Sequence, residues 1–218
     1  MDSIYSLIHS LPLLLKGVMA TIQIALASIA IGLLGGIVVG VLNCRKMHAP
    51  SLKAFFNGFV WIIRGTPLFV QVLIIYYALP ELLGIILSPF SAGVIALGIN
   101  STAYISEIVR AGIDAIADGQ WEAAFVLGLN RWKTLKGIIL PQMFRISLPG
   151  LTNELTALIK DTSILMVIGV AELTKVSKDI VTRELDPMTI YLAAAALYLV
   201  MTSAISLFMH KIQRGYHL

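Results

Sequence analysis

Three stretches of this chain run without a charged residue for longer than a bilayer is thick: Gly17 to Leu42, Leu82 to Ser106 and Pro187 to Met209. A helix needs roughly 20 apolar residues to cross the hydrocarbon core. In lipid a backbone must satisfy its own hydrogen bonds, so the spanning segments are helices. The composition agrees, with 58% hydrophobic and 13% charged residues in 218. Soluble domains carry about 25% charged residues.

Two further apolar segments are interrupted by charge. Residues 54 to 80 contain Arg64, and residues 146 to 171 contain Glu154, Lys160 and Asp161. The fold class is therefore all-α, with five spans at about 14–43, 55–80, 86–112, 144–170 and 188–210. Loops this short leave no room for a separate soluble domain, so residues 1–218 read as a single transmembrane domain. The first span is too long, and too far from a cleavage motif, to be a secretory signal.

Loop charge predicts orientation. Arg45, Lys46 and Lys53 follow the first span; Arg131, Lys133, Lys136 and Arg145 follow the third; Lys211 and Arg214 follow the fifth. The positive-inside rule makes these regions cytoplasmic, with the N-terminus outside and the C-terminus inside. The loop from Glu81 to Phe90 has no Lys or Arg, as suits the outside, while the loop from Glu172 to Asp186 mixes both signs. The single cysteine, Cys44, excludes an internal disulfide and any multi-cysteine metal site. Histidines 9, 48, 210 and 217 show no ligand spacing. The net charge of +4 reports topology, not nucleic-acid binding.

The polar island EAAFVLGLNRWKTLKGIILP, residues 122 to 141, predicts helix, glycine break, helix. Asp118 is the expected N-cap, with Gln120 and Glu122 in the first turn. Gly128 is placed to end that helix in the left-handed conformation. Asn130 then caps a second short helix carrying Arg131, Lys133 and Lys136. Without further context this is an amphipathic loop on the membrane surface.

Inside the membrane the polar residues are few. Arg64-Gly65-Thr66-Pro67 invites a kink or an unwound turn. Arg64 lies about 24 Å of helix from Pro80 and can snorkel to the interface as a basic anchor. Gln71 is expected to face the protein interior. Asn100, Tyr104 and Glu107 share one face of the third span, and Arg110 is placed to pair with Glu107. A charge at a helix centre costs about 2.5–3.5 kcal/mol on insertion scales. Glu154, Lys160 and Asp161 therefore need a reason, either a structural polar network or a pathway lining. Glu154 and Asp161 share a face and Lys160 points elsewhere. Thr162 and Ser163 offer hydroxyls to backbone groups. Gly32, Gly36 and Gly40 have small-xxx-small spacing and permit close helix packing, within the chain or between subunits.

Glu122-Ala123-Ala124, Gly128 and Ile138-Ile139-Leu140-Pro141 resemble the EAA loop of ABC importer permeases, spanning here about 114–141. RGTPLFVQVLIIYYALP, NSTAYISEIVRAGI and NELTALIKDTSILMVIGVAEL resemble core spans of the polar amino-acid permeases. Together they cover most of residues 61 to 171. The resemblance implies the permease subunit of a bacterial importer of the type I fold, in the inner membrane. It implies a second permease subunit, identical or different, an ABC ATPase dimer and an external substrate-binding protein. It implies transport by alternating access, with Glu122, Ala123, Ala124, Gly128 and Arg131 forming the coupling helix and turn.

No phosphate-binding G-x-x-x-x-G-K-[ST] loop occurs in the chain, so it is not expected to be an enzyme; ATP and magnesium belong to the partner ATPase. The substrate candidates are Glu154, Asp161, Asn100, Tyr104, Gln71, Thr66, Lys160 and Ser163. Two acidic groups could hold an α-ammonium and a cationic side chain, which leans the substrate towards arginine, lysine or histidine. The competing class is an ion-gradient-driven secondary transporter of small polar solutes. Five spans do not divide into two equal inverted halves, a common plan for that class.

Overall fold

The computed structural model describes residues 2–47 and 50–215, with side chains from residue 7 onward. His48 and His217 lie outside the described residues. Helix is the only regular structure among them. Its elements are α1 (Asp2–Asn43), α2 (Pro50–Gly65), α3 (Leu68–Leu83), α4 (Pro89–Asp114), α5 (Asp118–Val126), α6 (Arg131–Thr134), α7 (Leu140–Asp161), α8 (Leu173–Glu184) and α9 (Pro187–Gly215).

Helix α4 is the central post. It packs most extensively on α1, and α2, α3 and α7 also lean on it. The small residues of α1 make that contact possible. A Cβ added at Gly36 would lie 2.6 Å from Ile105 Cγ2, and one at Gly40 would lie 2.6 Å from the Ser106 carbonyl oxygen. The glycine spacing therefore serves packing within the chain. A main apolar cluster runs from Ile24 through Leu97, Ile105 and Ile113 to Leu165. A second joins Leu14, Leu173, Ile180 and Ile190, where α8 and α9 meet α1.

Helices α1, α4 and α9 are long and apolar enough to cross a membrane unbroken. The segment 55–80, expected as one kinked span, is two helices that meet at 106° around Thr66 and Pro67. Proline has no N–H to continue the first helix, and it biases Thr66 to an extended backbone. The fourth span also differs from expectation. Helix α7 ends at Asp161, a 3-10 stretch runs from Thr162 to Ile168, and Gly169 stops it at φ 84°. Thr162 and Ser163 donate their hydroxyls to the carbonyls of Ile159 and Lys160 at 2.8 and 2.6 Å, which satisfies oxygens at that helix end.

Two loop expectations are corrected. The segment expected as a loop from Glu172 to Asp186 contains helix α8, capped by the Glu172 carboxylate, which accepts from the N–H groups of Thr174 and Lys175. Its apolar face buries Leu173 and Ile180, and its polar face explains the mixed charges. Asp118 is not an N-cap. Ala117 holds that position and Asp118 is the first helical residue, its carboxylate turned to Lys46 at 2.7 Å.

Candidate functional site: a polar cavity and a coupling surface

The break between α2 and α3 leaves carbonyls without helical partners, and Gln71 satisfies them. Its Nε2 donates to the carbonyls of Ile63 and Thr66 and to Thr66 Oγ1, at 2.7, 3.1 and 2.9 Å. Its Oε1 accepts from Asn100 Nδ2 at 3.0 Å. The bent span is thereby tied to α4.

Beside that tie lies a cavity of about 360 Å³, lined by Thr66, Pro67, Asn100, Tyr104, Glu154 and Asp161 among others. Five of the eight substrate candidates, Thr66, Asn100, Tyr104, Glu154 and Asp161, thus share one space, although they come from three separate spans. Gln71 stands behind the wall and positions Thr66 and Asn100. Lys160 and Ser163 do not line it. Lys160 is exposed on another face of α7, and Ser163 turns back to its own helix. Ser101 Oγ donates to Glu154 Oε1 at 2.5 Å. The sequence reading missed Ser101. A carboxylate at membrane depth requires a donor, and a serine on the facing span was the available signal.

Below the cavity a chain of charge follows α4. Arg110 holds both oxygens of Glu107, with Nε–Oε1 3.0 Å and Nη2–Oε2 2.9 Å, and its Nη1 reaches Asp114 at 3.2 Å. The expected Glu107–Arg110 pair is present. Arg64 Nη1 stands 3.6 Å from Glu107, and its guanidinium lies 5.2 Å from the centroid of Tyr104.

The segment from Asp118 to Thr134, the expected coupling element, is built as helix, turn, helix. Gly128 has φ 77°, the left-handed turn expected there. Asn130 caps α6 by accepting from Lys133 N at 2.9 Å. Helix α6 ends at Thr134, and Lys136 falls in a π-helical turn that leads into α7. Trp121 and Ala124 are buried and seat α5 on the body of the chain, so Ala124 does not face outward with Glu122 and Ala123. The outward surface includes Val126 and Leu127, at 87% and 77% exposure.

The segment is clamped to the loop after α1. Lys46 pairs with Asp118, Arg131 Nη1 donates to the Lys46 carbonyl at 3.2 Å, and the Arg45 backbone N–H donates to Asp114 Oδ1 at 3.1 Å. The hydrogen bond and charge of Lys46 hold the Asp118 carboxyl below the usual carboxylate range. Cys44, at the start of that loop, is buried, and burial pushes its thiol up.

Known proteins resemble this chain over most of its length. Residues 32–217 match the family described as binding-protein-dependent transport system inner membrane component. The L-cystine transport system permease protein TcyB of Bacillus subtilis is 40% identical over 204 residues, covering 93% of this chain and 86% of that protein. The glutamine transport system permease protein GlnP of Escherichia coli is 39% identical over 208 residues, covering 94% and 93%. The arginine transport system permease protein ArtQ of Bacillus subtilis is 41% identical over 175 residues, covering 77% and 76%. A crystal structure of an amino acid ABC transporter with histidines superposes with TM-score 0.88 at 35% identity, covering 96% of this chain and 97% of that one. The MetNI methionine ABC transporter, at 18% identity and TM-score 0.82, shares the fold. The chain therefore belongs to the binding-protein-dependent inner-membrane transport components, as an amino-acid ABC importer permease of type I fold whose ATPase activity lies in a separate subunit.

Proposed function

We propose that this permease moves polar α-amino acids through the cavity between α3, α4 and α7, and that amino acids with a cationic side chain are its preferred substrates. The observation carrying this reading is the presence of Glu154 and Asp161 together in a cavity whose other lining residues are uncharged, Thr66, Asn100 and Tyr104 among them. One carboxylate suits the α-ammonium and the second suits a cationic side chain. Asn100 and the Tyr104 hydroxyl supply neutral donors, whereas the Thr66 hydroxyl already donates to the Ile62 carbonyl at 2.9 Å. The named relatives include permeases of arginine, glutamine and cystine systems, so the side-chain preference rests on the two acids.

Coupling to an ATPase dimer runs through Glu122, Ala123 and the turn at Gly128, with Arg131 bracing that turn against the first loop. A second permease subunit and an external binding protein complete the importer. The basic loops support an orientation with the coupling surface in the cytoplasm, the C-terminus inside and the N-terminus outside.

The test is uptake in proteoliposomes holding the complete importer, with arginine and glutamine supplied in parallel. Glu154→Gln should lower arginine uptake while glutamine uptake persists. Unchanged uptake of both would remove Glu154 from the site.

A further inference from the structure

A second space opens on the other side of Tyr104. It is a groove of about 750 Å³ between α2 and α4, lined by Asn57, Trp61, Arg64, Tyr104 and Glu107 among others. The charges in the network that begins at Glu107 do not balance. Arg110 occupies both oxygens of Glu107, while Arg110 and Arg45 both engage Asp114. Two carboxylates thus face three guanidinium groups, and Arg64 is the surplus one. Its approach to Glu107 is 3.6 Å, too long for a hydrogen bond. Its other contact is the face of Tyr104. Among the described residues the Arg64 fork donates no hydrogen bond.

The two spaces therefore differ in charge: among the described residues the inner cavity is lined by two carboxylates and no cation, whereas the groove is lined by Arg64, which donates no hydrogen bond, and by a Glu107 that Arg110 already holds. Tyr104 lines both spaces. A basic amino acid has the same polarity, with its side-chain cation at one end and its α-carboxylate at the other. We propose that Arg64 is the carboxylate station of the transport path, receiving the α-carboxylate of a free amino acid at the mouth of the acid-lined cavity. The planar guanidinium matches a carboxylate with two parallel hydrogen bonds, which a lysine cannot copy. Leaving Glu107 strands no charge, because Arg110 still holds that carboxylate. The Arg64 side chain is also partly exposed, at 42%, and so is open to a ligand. The ligand class is the free α-amino acid, as distinct from its carboxamide or an amine.

This inference rests on the amino-acid reading of the inner cavity, and the test separates the two. The permease assembled with its ATPase in nanodiscs, without binding protein, is titrated with the common amino acids and cystine. The tightest ligand is then compared with its carboxamide. The wild type should prefer the free acid by roughly tenfold or more, as one lost charge-assisted bond implies. Arg64→Gln should erase that preference and leave carboxamide affinity unchanged. Arg64→Lys should retain part of it, and is the variant to read if Arg64→Gln does not assemble. Arg110→Gln should keep it. Full preference in Arg64→Gln or Arg64→Lys overturns the proposal, as does equal weakening of acid and carboxamide, or loss of the preference in Arg110→Gln to the same extent. If no amino acid binds the wild type, the reading of the inner cavity fails and the Arg64 station falls with it.

Discussion

Asn100 Nδ2 donates to Gln71 Oε1 at 3.0 Å, and this bond joins the broken second span to the central helix at the edge of the polar cavity. Gln71 is buried and spends its amide protons on backbone carbonyls freed by the break. Gln71→Leu should strand those carbonyls and the Asn100 amide. Each buried unsatisfied group costs about 1–3 kcal/mol. The thermal midpoint of the purified permease should fall, and transport with it. An unchanged midpoint would show that water replaces the glutamine.

Gly128 adopts φ 77° with open space where a Cβ would stand. The cost of a side chain is therefore conformational, not a clash. Gly128→Val should penalise the left-handed turn by about 1–2 kcal/mol. The chain should still insert, but ATP-driven uptake should drop. Normal uptake and normal co-purification with the ATPase would remove the turn from coupling.

The α1–α4 seam offers the converse case. At Gly36 the φ is ordinary and the space is filled, with Ile105 carbons 2.6 and 2.7 Å from an added Cβ. Gly36→Ala should overpack the seam and destabilise by about 1–3 kcal/mol, whereas Gly137→Ala, with nothing within 4 Å, should not. Thermal unfolding of the two variants side by side decides it.

The Lys46–Asp118 clamp has a predictable pH window. Asp118 has a depressed carboxyl in the folded protein. Its stabilising effect is present above the unfolded value of about 3.9 and is lost as pH falls through the lower folded value. The clamp should therefore be constant from neutral pH down to about 5. Lys46→Met should move the Asp118 titration upward towards the unfolded value. Carboxyl-carbon NMR titration reads this directly, and no movement would show that the pair is not formed in solution.

Orientation is testable by thiol labelling. Met188 is 71% exposed at the start of α9, so Met188→Cys should react with an impermeant reagent from outside. Native Cys44 is buried, so it should stay silent from either side. The inside control is Lys133→Cys on the coupling segment. Labelling of Met188→Cys from the cytoplasmic face alone would reverse the topology.

Much was legible in the sequence because the bilayer imposes strong rules. Uncharged runs specify helices, and a rare charge among them must have a reason. The face shared by Asn100 and Tyr104 follows from helical period alone, as does the face shared by Glu154 and Asp161. Gly128 and Asn130 announce a turn and a cap by local backbone chemistry. What local rules could not supply was where elements far apart in sequence meet. Pro67 signals a disturbance but carries no angle, and the 106° bend depends on how α3 packs against α4. The glycines of α1 permit a close approach without naming the partner helix. Arg64 reads as a basic anchor until Arg110 is found holding both oxygens of Glu107, with Arg64 the more distant partner at 3.6 Å. Helix, cap and turn are properties of neighbours along the chain. The cavity, its excluded Lys160 and the charge imbalance around Arg64 arise from side chains on different helices, and only tertiary packing brings those within reach.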